Sequence, residues 1–148
     1  MIEQQKYPTG FISISAMRLS TKAKELIDGK NFGCVATLMQ DGSPQVAPLW
    51  MDREGDIIIL NTTRSRQRTK NLKRDRRVAI TVFDQDNPYS SVSIRGKAVE
   101  ITEEGAEEHI DKLGMKYLGK PKYPYDDRTP KDPRILIRVE AEHIHEEM

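Results

Sequence analysis

Fourteen positions, Arg64 through Arg77, hold eight Lys or Arg residues and a single acid, Asp75. The run follows directly on the apolar stretch Ile57-Ile58-Ile59-Leu60, which closes with Asn61-Thr62-Thr63. A strand that ends in small polar residues and hands over to a helix start leaves backbone N–H groups unpaired. Together with the helix dipole and nearby guanidinium groups, those N–H groups form a site for an anion, and a phosphate is the expected occupant. The plain alternative is a charged helix face that only keeps the chain soluble. The position of the run behind a strand and a Thr pair favours the anion site. Within the run, Arg64, Lys70, Lys73 and Arg74 are placed to steer a ligand or meet further negative charge.

Other side chains offer less. His143 and His145 stand two apart in a strand-like segment and so share a face, but no second cluster of ligands accompanies them, and no metal site is expected. They read as exposed histidines near the C-terminus. The single cysteine, Cys34, excludes an intramolecular disulfide; within Phe32-Gly33-Cys34-Val35-Ala36 it reads as a buried structural thiol. Trp50 either borders a ligand ring or serves as a core or interface aromatic. Tyr89 could reach a groove from a partner subunit. There is no Gly-rich phosphate loop, no Ser/His/Asp set and no pair of carboxylates at glycosidase-like positions, so no catalytic side chain is assigned.

The elements that must hold these residues follow from periodicity and punctuation. Ser20 caps a short helix over Thr21–Ile27 that ends near Asp28-Gly29. Phe32–Met39 is a strand, 40–44 a turn, and Gln45–Met51 a second strand whose Pro48 marks an edge or bulge. Asp52–Gly55 turns the chain into a third strand, Asp56–Asn61, so that an antiparallel meander is the simplest topology. The basic run forms a helix over Ser65–Arg74 with Thr69 and Leu72 inward. Val78–Phe83 and Tyr89–Ile101 are strands joined by a loop at 84–88, and Gly96 marks a bulge or a close backbone approach. Glu103–Leu118 is a helix. Residues 119–133, with four of the eight prolines and two tyrosines, form a surface excursion, and Ile135–Ile144 closes the set. Residues 1–18 form an arm. The whole, 1–148, is one mainly β domain with peripheral helices, in which six antiparallel strands close into a small barrel.

Composition narrows the class. Lys+Arg and Asp+Glu nearly cancel, 24 against 23, for a formal charge of +1. A nucleic-acid binder usually carries a basic excess across the domain; here the basic run is offset by acids such as those in Glu100–Glu108. No stretch has the length of a bilayer span and no signal peptide is evident, so a cytoplasmic protein without membrane or nucleic-acid partners is expected.

Five motifs, taken in order, carry a resemblance: Gly33–Leu38; Asp41–Gln45; Leu60-Asn61-Thr62-Thr63; the run from Arg66 to Leu72; and Ser93–Ala98. Over about residues 20–144 the chain resembles the split β-barrel flavin and deazaflavin proteins related to pyridoxamine 5′-phosphate oxidase. The branch it looks most like is the small single-domain oxidoreductases that use the deazaflavin coenzyme F420. The resemblance implies an FMN-binding split-barrel fold and a homodimer with two cofactor sites in grooves between subunits. It implies that Arg66 and Arg68 grip the cofactor phosphate, that Asn61, Thr62 and Thr63 contact ribityl chain and phosphate, and that Pro48, Leu49 and Trp50 line the ring. Leu60 and Asn71 complete the implied cofactor-binding set. Many flavin-binding relatives carry Lys where this chain has Arg68, and an Arg there still chelates phosphate. The longer C-terminal region of true pyridoxamine phosphate oxidases is missing, so that activity is not expected.

The expected function is therefore an F420-dependent reductase passing hydride to a small unsaturated or oxidised organic substrate. FMN-dependent chemistry on the same fold, or a non-catalytic flavin or deazaflavin carrier, are the alternatives. F420 ends in an oligoglutamate tail and FMN ends at its phosphate, so basic residues beyond one phosphate's needs favour F420. Hydride transfer belongs to the cofactor, and a protein that binds and orients it needs no nucleophile of its own.

Overall fold

A computed structural model describes residues 17–125 and 131–147 of the chain. The expected arm over 1–18 falls almost wholly outside the described residues, as do 126–130 of the proline-rich excursion. The elements are α1 (Thr21–Asp28), β1 (Phe32–Leu38), β2 (Pro44–Trp50), β3 (Asp52–Glu54), β4 (Ile57–Thr63), α2 (Gln67–Arg74), β5 (Arg77–Asp84), β6 (Asn87–Thr102), α3 (Ala106–Leu118) and β7 (Arg134–Glu147). All the strand pairs are antiparallel and join one sheet in the order β2-β1-β5-β6-β7-β4-β3. Its two edge strands, β2 and β3, are separated in sequence only by Met51, which brings both ends of the sheet to one corner and curls it into a half-barrel. The mainly β split-barrel fold is the one the sequence suggests.

Two expectations about the strands change. Asp52–Glu54 is a short seventh strand rather than part of a turn, pairing with Ile57–Ile59 around Gly55. A positive φ of 59° at Gly55 makes that reversal, a conformation glycine adopts without a Cβ penalty. The meander also breaks. β2 does not pair with the strand that follows; β4 lies on the far side of the sheet beside β7, from Ile57↔Glu140 to Thr63↔Arg134. Pro48 is tolerated because β2 is an edge.

Alternation builds the core. Val78, Ile80 and Val82 of β5, Val92 and Ile94 of β6, and Ile135, Ile137, Val139 and Ala141 of β7 point into the barrel. Ala23, Leu26 and Ile27 of α1 and Leu72 of α2 join them. β4 is buried on both faces, because α3 lies against its other side, where Ile59, Ala106 and Leu136 form a second apolar cluster. The α1 cap is as expected: Ser20 Oγ accepts from Ala23 N–H at 3.2 Å. α3 starts later than expected, after Gly105 in the left-handed region. Cys34 faces outward from β1 and is half-buried rather than buried, because the inward positions of that strand belong to Val35 and its alternates. His143 and His145 are exposed, as is Tyr89 at 79%.

Candidate functional site

β4 runs past the end of β3, which covers only Ile57–Ile59. Beside the uncovered remainder, between it and β2, lies an open cleft of about 660 Å³, part of it bulk solvent. One end is apolar and aromatic, lined by Phe32, Pro48, Leu49, Trp50, Ile110, Leu113, Tyr123 and Tyr125. The other end is lined by Asn61, Thr62, Thr63, Arg66, Arg68 and Arg134, so among the described residues the lining holds three guanidinium groups and no carboxylate. An elongated ligand with a flat apolar ring at one end and an anion at the other matches that division.

The cationic end is built by the turn between β4 and α2. Ser65 does not cap the helix; its N–H and hydroxyl both donate to the Asp132 carboxylate, at 2.8 and 2.6 Å, and Arg64 N–H donates to Pro133 O at 3.0 Å. The N-cap position therefore falls on Arg66, whose side chain makes no capping bond, and the helix begins at Gln67 rather than Ser65. The start of α2 thus offers the positive end of its dipole without a side chain to satisfy it. Thr69 turns inward and donates to Thr63 O at 2.7 Å, locking helix to strand.

Arg68 is the unusual member. It is half-buried, its Nε is buried without a hydrogen-bond partner, and it forms no ion pair among the described residues. Burial, with the like charges of Arg66 and Arg134 beside it, pushes its pKa down to about 10. It remains charged at neutral pH, and a charge so placed is normally paired. Thr63 Oγ1, on the same wall, is buried with no hydrogen bond of good geometry, reaching only loosely toward Asp132. An incoming anion would satisfy both groups.

The aromatic end is held in place from below. The Trp50 ring stacks on Tyr117 at 5.0 Å with 3° between planes and meets Tyr123 edge-on at 5.9 Å. Tyr117 Oη donates to Asn31 O at 2.7 Å and accepts from Met51 N–H at 2.9 Å, while Lys116 Nζ donates to Met51 O at 2.8 Å. Burial pushes the Tyr117 phenol up to about 12, so it stays protonated in that clamp. Trp50 is therefore both a lining residue and part of an aromatic cluster.

Of the ten positions named from sequence, eight come together in the cleft: Pro48, Leu49, Trp50, Asn61, Thr62, Thr63, Arg66 and Arg68. Leu60 and Asn71 are not among its lining residues. The Leu60 side chain is 1% exposed and points into the core, as strand alternation from Asn61 demands. Asn71 is fully buried; its Nδ2 donates to Thr37 Oγ1 at 2.9 Å, and Gln67 and Arg74 donate to its Oδ1, so it fastens α2 to β1. Sequence reasoning missed Arg134, Phe32, Ile110, Leu113, Tyr123 and Tyr125. Arg134 is the important omission. Its one signal was a lone Arg directly before the apolar alternation of the last strand, and only the register Thr63↔Arg134 brings it to the basic turn.

Behind the cleft, His109 Nε2 lies 2.9 Å from Asp52 Oδ2, with Lys112 Nζ 3.2 Å from the same oxygen. Burial pushes the Asp52 carboxyl up, but the His109 hydrogen bond, the Arg53 N–H and the charge of Lys112 outweigh it and hold the group at about 2. A carboxylate whose folded pKa is depressed contributes stability above its unfolded value, 3.8, and loses it as pH falls toward about 2. We expect about 2 kcal/mol of stability to disappear over that window, with Asp52→Asn losing far less on acidification. Urea unfolding at a series of acid pH values measures it.

Among the described residues no group of three or more His, Cys, Asp or Glu is arranged to hold a metal, and no helix is long and apolar enough to cross a membrane. Comparison with known proteins then places the chain. It is similar to a solved F420 reductase, with 28% identity and a TM-score of 0.72 over 82% of this chain and 94% of that one. A conserved hypothetical protein of Mycobacterium tuberculosis (24% identity, TM-score 0.65, covering 93% and 89%) shares the fold. So does general stress protein 26 of Bacillus anthracis (17%, TM-score 0.63, covering 85% and 91%). No curated protein matches the chain. The family model for pyridoxamine 5′-phosphate oxidase matches residues 19–147, nearly the whole chain, and on that basis the protein belongs to the pyridoxamine 5′-phosphate oxidase family.

Proposed function

We propose that the protein is an oxidoreductase that binds reduced F420 in the cleft and directs hydride transfer to a small unsaturated or oxidised organic molecule, working as a cytoplasmic homodimer. The observation that carries the reading is Arg68: a half-buried guanidinium with an unpartnered Nε, flanked by Arg66 and Arg134, at one end of a cleft whose other end is aromatic. That arrangement fits the phosphate and ring of a flavin-type coenzyme. Arg66, Arg68 and Arg134 would hold the phosphate, with Thr63 Oγ1 as a further partner, and Pro48, Leu49, Trp50 and Tyr123 would border the ring. When bound, the deazaflavin supplies the hydride. The cleft's own residues bind it, exclude water from one face of the ring and neutralise the ester charge.

F420 is favoured over FMN by two observations. The similar F420 reductase is one. The other is the supply of basic side chains on and just after α2, where Lys70, Lys73 and Arg76 are exposed and carry no ion pair among the described residues, a charge that suits a polyanionic tail. FMN carries the same phosphate and remains the second reading. Fluorescence titration with each coenzyme separates them, and the colour of freshly purified protein reports a retained flavin. Dissociation constants above about 0.1 mM for both, weaker than about 5.5 kcal/mol, would end the proposal. Turnover with an electron acceptor distinguishes an enzyme from a carrier. Arg66, exposed at the helix start, is expected to contribute less than the half-buried Arg68: Arg66→Ala should weaken coenzyme binding by about 1 kcal/mol with the melting temperature unchanged.

A further inference from the structure

The Asn61 side chain lines the cleft yet is 4% exposed, and its hydrogen-bonding capacity is directed into the protein. Its Nδ2 donates to Ala106 O at 2.9 Å and meets His109 Nδ1 at 3.0 Å. Its Oδ1 accepts from Arg134 Nε at 2.8 Å. Only one orientation of this amide works. Turned over, it would set N–H against the Arg134 N–H and a carbonyl oxygen against Ala106 O. The same logic fixes the imidazole: Nδ1 must accept, so the proton sits on Nε2 and is donated to Asp52. A continuous buried chain thus runs from Asp52 through His109 and Asn61 to the guanidinium of Arg134. The Arg134 guanidinium is held a second time, 5.3 Å over the face of Tyr123.

We infer that Asn61, locked by His109, is a positioning residue that sets the plane of the Arg134 guanidinium at the anion end of the cleft. Neither Asn61 nor His109 needs to touch the ligand's phosphate; they act through Arg134. A planar fork binds two oxygens of an anion only when its plane is set correctly, so a rotated guanidinium loses the bidentate contact while keeping its charge. If His109 stopped accepting, one buried Asn61 N–H would lack a partner; Ala106 O and the Arg134 N–H still oppose a full turn, but the amide would tilt to satisfy that N–H and carry the Arg134 Nε with it. The inference rests on the anion-site reading of the cleft.

The test compares ligands that differ only in phosphate: FMN with riboflavin, and F420 with its phosphate-free chromophore. For each protein the readout is the ratio of the two dissociation constants, which isolates the phosphate's contribution. His109→Gln keeps a donor toward Asp52 and removes the acceptor facing Asn61; His109→Asn places an acceptor near the lost Nδ1. We expect His109→Gln to reduce the phosphate-dependent ratio about five- to tenfold, with the phosphate-free ligand bound within about twofold of wild type. His109→Asn should restore most of the ratio. Arg134→Ala should lower it at least as far, and adding His109→Gln to that variant should change nothing further, since the two act on one contact. An unchanged ratio in His109→Gln, an equal loss for both ligands, or full additivity with Arg134→Ala would each overturn the inference while leaving the anion site standing. If wild type fails to distinguish phosphate-bearing from phosphate-free ligands in both pairs, the anion site falls and the inference with it.

Discussion

Arg68→Leu is expected to cost the protein its coenzyme and make the empty protein harder to unfold. The guanidinium is half-buried, its Nε has no partner, and Arg66 and Arg134 add like charge beside it. A charge held that way opposes folding until an anion arrives, so an uncharged, apolar side chain in its place should raise the stability of the ligand-free protein by about 1 kcal/mol. The same substitution removes a charge-assisted contact from a poorly solvated position, and coenzyme affinity should fall by about 2–3 kcal/mol, roughly 30- to 150-fold. Melting curves without ligand, beside fluorescence titration with F420 and FMN, measure both. Lower apo stability in Arg68→Leu, or unchanged affinity, would show that the residue is structural.

The pH dependence follows with a definite sign. Arg68 carries a folded pKa lowered to about 10 from 12.5. For a base shifted down, the cost to the folded state is fully present below the folded value and is relieved as pH rises from there toward the unfolded one. Anion binding, which needs the charge, should hold through neutral pH and weaken as pH rises through about 10. In Arg68→Leu that alkaline step in affinity should be missing.

Gly96→Ala is expected to be a severely damaging single methyl. A Cβ at this position would sit 1.9 Å from Glu140 O and 2.9 Å from its carbonyl carbon. Both are backbone atoms of β7, in the middle of the longest strand pairing, where the register slips between Arg95 and Gly96. No rotamer relieves such a clash. β6 and β7 must separate, and the cost should be about 3 kcal/mol or more, at the upper end for overpacking. Gly42→Ala is the matched control: its φ of 88° is strained for alanine, but nothing lies within 4 Å, so about 1 kcal/mol is expected. Urea unfolding of the two variants, with comparable slopes, gives the difference directly.

Gly96 also shows what could be read without coordinates. A glycine inside an alternating strand pattern signals a bulge or a close backbone approach, and both are present. The alternation of Val78, Ile80 and Val82, or of Ile135, Ile137 and Val139, marked the strands, and it coincides with the barrel's inward face because burial on one side imposes a period of two. β3 was illegible for the opposite reason. Its three residues, Asp-Arg-Glu, have no apolar member, and the strand is held by pairing with β4 and by ion pairs such as Arg53 with Asp28 at 2.7 Å. The basic half of the site was legible because its residues are contiguous. Arg134 was not, since a register between β4 and β7 joins it to them, and nothing local encodes that register. Asn71 was placed with the site by the family resemblance, which carries no information on packing; in the structure it satisfies a buried threonine on another strand.

The short reach of β3 has a mechanical consequence. Where it stops, the barrel wall is breached, and the two halves of the cleft stand on opposite banks: Pro48 to Trp50 on one, Asn61 to Thr63 on the other. Along the chain the banks are joined at the Met51 peptide, which Tyr117 and Lys116 bolt from beneath. A long molecule gripped by its ring on one bank and its ester on the other would become a strut across the breach. It would supply the cross-bracing that the missing length of strand would otherwise have given.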